Sequence, residues 1–212
     1  MTRTIVHLLR HGEVHNPDGI LYGRLPGFRL SAAGEQMAAV VATWFTGHDV
    51  TGLYTSPLER ARQTVAPLEA LFGLDATVEP RVIESENDFE GTRFSVGDGA
   101  LRDPKNWWRL RNPLRPSWGE PYAAIAERVL AAVYDARREQ AGHEAIIVSH
   151  QLPVVCARRR AEGHRLWHRP DRRQCALASV TSFVFDAETL LRTEYAEPAA
   201  SVSPTEKANV GA

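Results

Sequence analysis

Ile5-Val6-His7-Leu8-Leu9-Arg10-His11-Gly12 is an apolar run that stops abruptly at a cation, an imidazole and a glycine. A short apolar run of this kind reads as a buried strand. The polar triplet then stands at the strand's carboxyl end, where open α/β sheets place their chemistry. An imidazole alone decides little, because it serves as core hydrogen-bonder, metal ligand, proton shuttle or nucleophile according to its partners. Arg10 narrows the choice: a guanidinium beside His11 is costly to bury without an anion, and its planar fork suits phosphate oxygens. Gly12 lets backbone and ligand approach closely.

Outward from this strand, helices and strands alternate. Residues 31–45 have helical spacing behind a Ser31 cap, and residues 50–54 form a second short strand. A helix over 57–72 is predicted to open on Ser56 as cap with Pro57 at its first position, and its N-terminal amides favour an anion. Residues 77–83 read as a third strand, followed by an acidic loop from Glu84 to Gly91. Helices are expected over 120–139 and 153–162, a strongly buried strand over 144–148, and an antiparallel hairpin over 178–185 and 190–195. The alternation predicts a three-layer α/β/α sandwich with a mostly parallel central sheet.

The Pro-punctuated stretch from about residue 92 to 120 carries Trp107, Trp108 and Trp118 with Arg109, Arg111 and Arg115. Such a segment reads as a cap or binding loop, with cover for a sheet edge or a dimer partner as the other reading. The domain is expected to span residues 1–196, and 197–212, rich in Ala, Ser, Pro and Glu, reads as a disordered tail.

A chain of 212 residues with 43% hydrophobic content can bury a continuous core without disulfides or metal. Its net charge of −1 gives no global attraction to nucleic acid or anionic membrane, so any anion preference is local. Cys156 and Cys175 have no metal-like spacing and read as reduced thiols of a cytosolic protein. No stretch reads as a signal peptide or membrane span. His164 and His168, four apart, lack a third ligand at suitable spacing and read as an exposed turn, while His7 and His15 read as packing or surface residues. The Arg158-Arg159-Arg160 run reads as a solvated helix end.

Three strand ends now carry polar groups of one type: Arg10 and His11, Arg60, and His150. On the common edge of a parallel sheet they converge into a pocket suited to a phosphoryl group, with donors for its equatorial oxygens. The segments Leu8-Leu9-Arg10-His11-Gly12-Glu13, Leu30-Ser31-Ala32-Ala33-Gly34, Ser56-Pro57-Leu58-Glu59-Arg60-Ala61-Arg62-Gln63-Thr64, Phe89-Glu90-Gly91 and Val148-Ser149-His150, in that order, resemble the histidine phosphatase superfamily in its phosphoglycerate mutase-like branch.

The resemblance implies that His11 is the nucleophile, forming a phosphohistidine, and that Arg10, Arg60 and His150 bind the phosphate. It implies a glutamate that protonates the leaving group and then activates water. Glu84 matches that place, with Glu86 as rival because the spacing to Glu90 is one residue short of the usual pattern. Three departures bear on substrate: Val14 and a displaced Asn16 stand where a hydroxyl residue and an asparagine are usual, Tyr22-Gly23-Arg24-Leu25-Pro26-Gly27 replaces the usual segment, and Gln151 replaces a glycine. Asn16, Arg24 and Gln151 are thus the candidate substrate-binding residues, Arg24 for a second anionic group.

The expected function is a phosphomonoesterase without metal or cofactor, acting on a small cytosolic phosphoester. A phosphoglycerate mutase and a non-catalytic phospho-ligand or protein-binding module are the alternatives. The C-terminal hairpin offers an edge for a homodimer.

Overall fold

The computed structural model describes residues 3–92 and 119–205. Most of the Trp- and Arg-rich stretch lies outside the described residues. Among these residues one six-stranded sheet runs β3-β2-β4-β1-β5-β6, built from β1 (Arg3–Arg10), β2 (Val50–Thr55), β3 (Thr77–Val78), β4 (Glu144–Ser149), β5 (Val180–Asp186) and β6 (Thr189–Ala196). β1, β4, β2 and β3 pair in parallel, and β5 and β6 add an antiparallel hairpin to the free side of β1.

Alternation along the central strands makes two cores. Val6 and Leu8 of β1, with Ala145 and Ile147 of β4, meet α3 (Tyr122–Glu139) and α4 (Gln151–Ala161) on one face. Leu9, Ile146 and Val148 meet α1 (Ala32–Trp44) and α2 (Glu59–Phe72) on the other. Because successive strand residues point to opposite faces, a strand apolar at every position must be covered on both sides. The α/β/α sandwich follows directly.

Several local expectations are corrected. The third strand stops at Val78 because Pro80, which cannot donate to a ladder, opens a 3-10 turn over Pro80–Val82. α2 begins at Glu59 behind Leu58, and the helix has no side-chain cap, so Ser56 does not cap it. α4 starts at Gln151, with Pro153 inside its first turn, where a missing N–H costs nothing. The tail expected to be disordered folds back as far as residue 205: Ala199 is buried and Val202 packs on the α1/α2 core. Among the described residues no helix is long and apolar enough to cross a membrane.

Two glycines set how closely the first loop lies on α1. A Cβ on Gly12 would stand 2.6 Å from the Gly34 carbonyl oxygen, and one on Gly34 would stand 2.0 Å from the Glu13 carbonyl oxygen. Backbone meets backbone here, so only glycine fits at either position.

Candidate active site

Strand register brings the polar strand ends together. Arg10 pairs with Ser149, and the His11 amide donates to the Ser149 carbonyl at 3.1 Å, which sets His11 beside His150. On the other side of β4, the Ser56 amide donates to the Val148 carbonyl at 2.9 Å and aims α2, with Arg60 in its first turn, at the same point. The 3-10 turn delivers Glu84, and the Ser149 hydroxyl holds the turn by donating to the Val82 carbonyl at 2.7 Å. The His11 and His150 rings lie with centroids 5.1 Å apart.

Each group is held by one part of its side chain. His11 donates from Nδ1 to the Gly12 carbonyl at 2.7 Å, which leaves Nε2 deprotonated in the neutral ring. Arg10 donates to the Cys175 carbonyl at 2.7 Å, and Arg60 to the Gly23 carbonyl at 2.6 Å, with its guanidinium 4.8 Å from the centre of the Tyr22 ring. Glu84 accepts the Ser85 amide at Oε1, 2.8 Å away. His150 Nε2 lies 2.7 Å from the Ser56 hydroxyl; if that hydroxyl donates, the ring proton resides on Nδ1.

What remains is a set of buried polar atoms without a hydrogen-bond partner among the described residues: Nε of Arg10, Nε2 of His11, Nε of Arg60, Oε2 of Glu84 and Nδ1 of His150. Buried polar atoms are nearly always paired, so five of them on the residues of one site require explanation. They combine a lone pair, several N–H donors and a carboxyl oxygen. This set can hold an oxyanion, attack its central atom and exchange a proton.

Electrostatics support the same use. Burial, with Arg60 and Arg10 alongside, holds His11 well below the ordinary histidine range. Burial and the Arg60 charge do the same to His150. Burial pushes the Glu84 carboxyl up, against the Ser85 amide and the charges of Arg60, Arg10 and Arg173. Thus the imidazoles favour the neutral form, and the carboxyl holds its proton to higher pH than usual. Both thiols are buried, and burial drives Cys156 up to about 12, so neither is a nucleophile.

These shifts predict acid lability. His11 and His150 stay neutral when folded, whereas the unfolded chain takes up protons below the ordinary value of 6.5, so stability is lost as pH falls through that point. Each such histidine contributes a slope of up to about 1.4 kcal/mol per pH unit. Glu84 acts in the opposite sense, since its ionised form is the disfavoured one, and offsets part of the loss. Urea denaturation from about pH 7.5 to about pH 5 checks this, with His11→Ala expected to show the shallower decline.

The other candidates fare differently. Asn16 is buried, but both ends of its amide are engaged by the Ile20 backbone, at 2.8 and 3.0 Å, so it shapes its own loop. Arg24 donates to the Glu84 carbonyl, to Glu86 and to Glu120, at 2.7, 2.8 and 3.3 Å. Already matched to two carboxylates, it braces the loop and is no free site for a second anion. Gln151 accepts from Arg173 at 3.1 Å beside the Cys175 carbonyl that Arg10 uses. Glu86 is 70% exposed and paired with Arg24, whereas Glu84 is 1% exposed.

Sequence reading missed three contributors. Ser56 orients His150 instead of capping a helix, and Thr64 accepts the Gly12 amide at 3.1 Å while donating to the Arg60 carbonyl. Arg173 joins Gln151 to His168, donating to the latter at 3.0 Å. His168 is thereby buried against Tyr122, contrary to its expected place in an exposed turn. No local pattern signals the links of Ser56 to His150, Thr64 to Gly12 and Arg173 to Gln151, because each joins segments at least 22 residues apart.

The pattern of the histidine phosphatase superfamily (branch 1) matches residues 6–196. Uncharacterized protein Rv0525 of Mycobacterium tuberculosis (strain H37Rv) is 56% identical over 197 residues, covering 93% of this chain and 98% of its own. Probable phosphoglycerate mutase GpmB of Escherichia coli O1:K1 is 30% identical over 182 residues, covering 82% and 83%. Among solved structures, mycobacterial glucosyl-3-phosphoglycerate phosphatase Rv2419c superposes with a TM-score of 0.71 at 22% identity, covering 91% of this chain and 97% of that one. The phosphoserine phosphatase of Entamoeba histolytica, in complex with 3-phosphoglyceric acid, gives 0.72 at 19% identity, covering 92% and 99%.

Proposed function

The chain belongs to the histidine phosphatase superfamily (branch 1), and from that premise we propose that it is a metal-independent phosphomonoesterase acting on a small cytoplasmic phosphoester. The observation that carries this reading is the group of five buried polar atoms, without a partner among the described residues, on Arg10, His11, Arg60, Glu84 and His150.

In the proposed reaction, His11 Nε2 attacks phosphorus with its lone pair. The P–N bond forms as the ester P–O bond breaks, and the leaving oxygen takes the proton of Glu84. Burial keeps that proton available. Arg10, Arg60 and His150 donate to the equatorial oxygens as negative charge spreads over them. Water then attacks the phosphohistidine, giving its proton to the Glu84 carboxylate. Phosphate leaves, and His11 and Glu84 return to their starting forms.

The test is hydrolysis of a panel of phosphomonoesters without added metal, together with trapping of the intermediate. One ester is expected to stand out, and brief incubation with it should yield a phosphoenzyme that is acid-labile and alkali-stable. An inert panel with phosphate still bound would sink the hydrolase and favour a binding module.

A mutase reading has one observation behind it, the 30% identity to a protein named as a probable phosphoglycerate mutase. It shares the first half-reaction and differs only in returning the phosphoryl group to a second hydroxyl. Bisphosphoglycerate-dependent interconversion of 3- and 2-phosphoglycerate that outpaces hydrolysis would establish it.

A further inference from the structure

At the amino ends of the strands, on the edge of the sheet away from the candidate active site, His7, His48 and Glu144 converge. Glu144 opens β4, His7 lies within β1, and His48 stands just before β2. Glu144 Oε2 is 3.0 Å from His7 Nε2 and 2.7 Å from His48 Nδ1, and the three ligating atoms lie within 4.8 Å of one another. His7 lies in β1 four residues before His11, which follows the strand's end, about 13 Å away at the usual rise, so this cluster takes no part in the pocket chemistry.

We propose that His7, His48 and Glu144 form a binding site for a divalent metal ion of the zinc type, with Ser182 orienting His7 from behind. Two imidazoles and one carboxylate are the ligand set that zinc takes in open sites, with water completing the tetrahedron. Ligand atoms of a zinc tetrahedron stand about 3.3 Å apart, so each histidine nitrogen would open slightly from Glu144 Oε2, now 3.0 and 2.7 Å away, while the two nitrogens, at most 4.8 Å apart, close around the ion. A hydrogen bond fixes the far side of the His7 ring: the Ser182 hydroxyl lies 2.8 Å from His7 Nδ1, its partner across the antiparallel β1/β5 pair. His48 is braced by Trp44 and Phe45, with ring centroids 5.2 and 5.1 Å away. Access is from solvent along His48, which is 31% exposed, and Glu144, 18% exposed, while His7 forms the closed end at 3%.

Without metal, His7 Nε2–H and His48 Nδ1–H both donate to Glu144. On uptake each ring shifts its proton to the other nitrogen, that of His7 then donating to Ser182 Oγ, and both lone pairs turn to the ion. Two N–metal bonds and one O–metal bond form as the two hydrogen bonds from the imidazoles to Glu144 break.

The test is titration of chelator-stripped protein with Zn2+ by calorimetry, and with Co2+ by visible absorption. One equivalent should bind, Co2+ should give the d–d bands of a low-coordinate nitrogen and oxygen site, and Tm should rise with Zn2+ concentration. His48→Ala and Glu144→Gln should abolish these signals, and Ser182→Ala should weaken affinity about 10- to 100-fold. His143→Ala, which removes the neighbouring surface pair with Asp49, should leave them intact. His48→Gln can keep a hydrogen bond to Glu144 and guards against misfolding; a cooperative metal-free melt with no Zn2+ response supports the site. Absence of binding in the wild type, or one equivalent retained in both His48→Gln and Glu144→Gln, overturns it.

Discussion

His11→Ala is expected to lower kcat for the preferred phosphoester by about 10⁴-fold or more, the scale seen when a covalent nucleophile is removed. No other group takes over, because His150 Nε2 is engaged with Ser56 and the thiols of Cys156 and Cys175 are buried and held protonated. Phosphate binding should survive, since Arg10, Arg60 and His150 keep their donors. The informative comparison is therefore kcat together with the dissociation constant of inorganic phosphate. Loss of turnover with phosphate affinity retained, and no phosphoenzyme trapped, supports covalent catalysis by His11. Full activity in the variant would exclude it.

Glu84→Gln is expected to separate activity from stability. Turnover should fall about 10²- to 10⁴-fold, because the amide can neither protonate the leaving oxygen nor accept a proton from water. Esters with good leaving groups, such as nitrophenyl phosphate, should lose least in the first step, and phosphoenzyme should accumulate as its hydrolysis slows. At neutral pH, however, Tm should rise. Burial disfavours the ionised carboxyl, so the wild type gives up stability above the raised pKa of Glu84 and regains it as pH falls through that value. Glutamine removes the penalty and keeps the acceptor for the Ser85 amide. The stability gain should therefore shrink toward acid pH, and thermal melts at several pH values read it. Glu86→Gln serves as control, since Glu86 is exposed and paired with Arg24, and its loss should leave turnover close to wild type.

Much of the fold was legible because it depends on local periodicity. The apolar runs of β1 and β4 carry no polar alternation, and that alone demands cover on both faces. Element ends were less legible where a side chain found a better partner elsewhere. Ser56 has the makings of a helix cap, yet its hydroxyl lies against His150, ninety-four positions away, and α2 starts uncapped. The tail reads as disordered by composition, but Ala199 and Val202 find a place on the α1/α2 core.

The same division runs through the sites. The sequence by itself determined that two histidines and two arginines stand at strand ends, and that their spacing resembles one superfamily, because strand and helix periods act over a few residues. Only the tertiary structure decided which carboxyl reaches the cluster. Glu84 and Glu86 differ by two positions in a loop, and burial selects one while Arg24 claims the other. It also turned Arg24 from a ligand candidate into a brace, and joined His7, His48 and Glu144, which no local sequence pattern links. Those outcomes depend on side chains far apart in the chain competing for the same partners. Such competition is settled by strand order and register, to which local sequence patterns are blind.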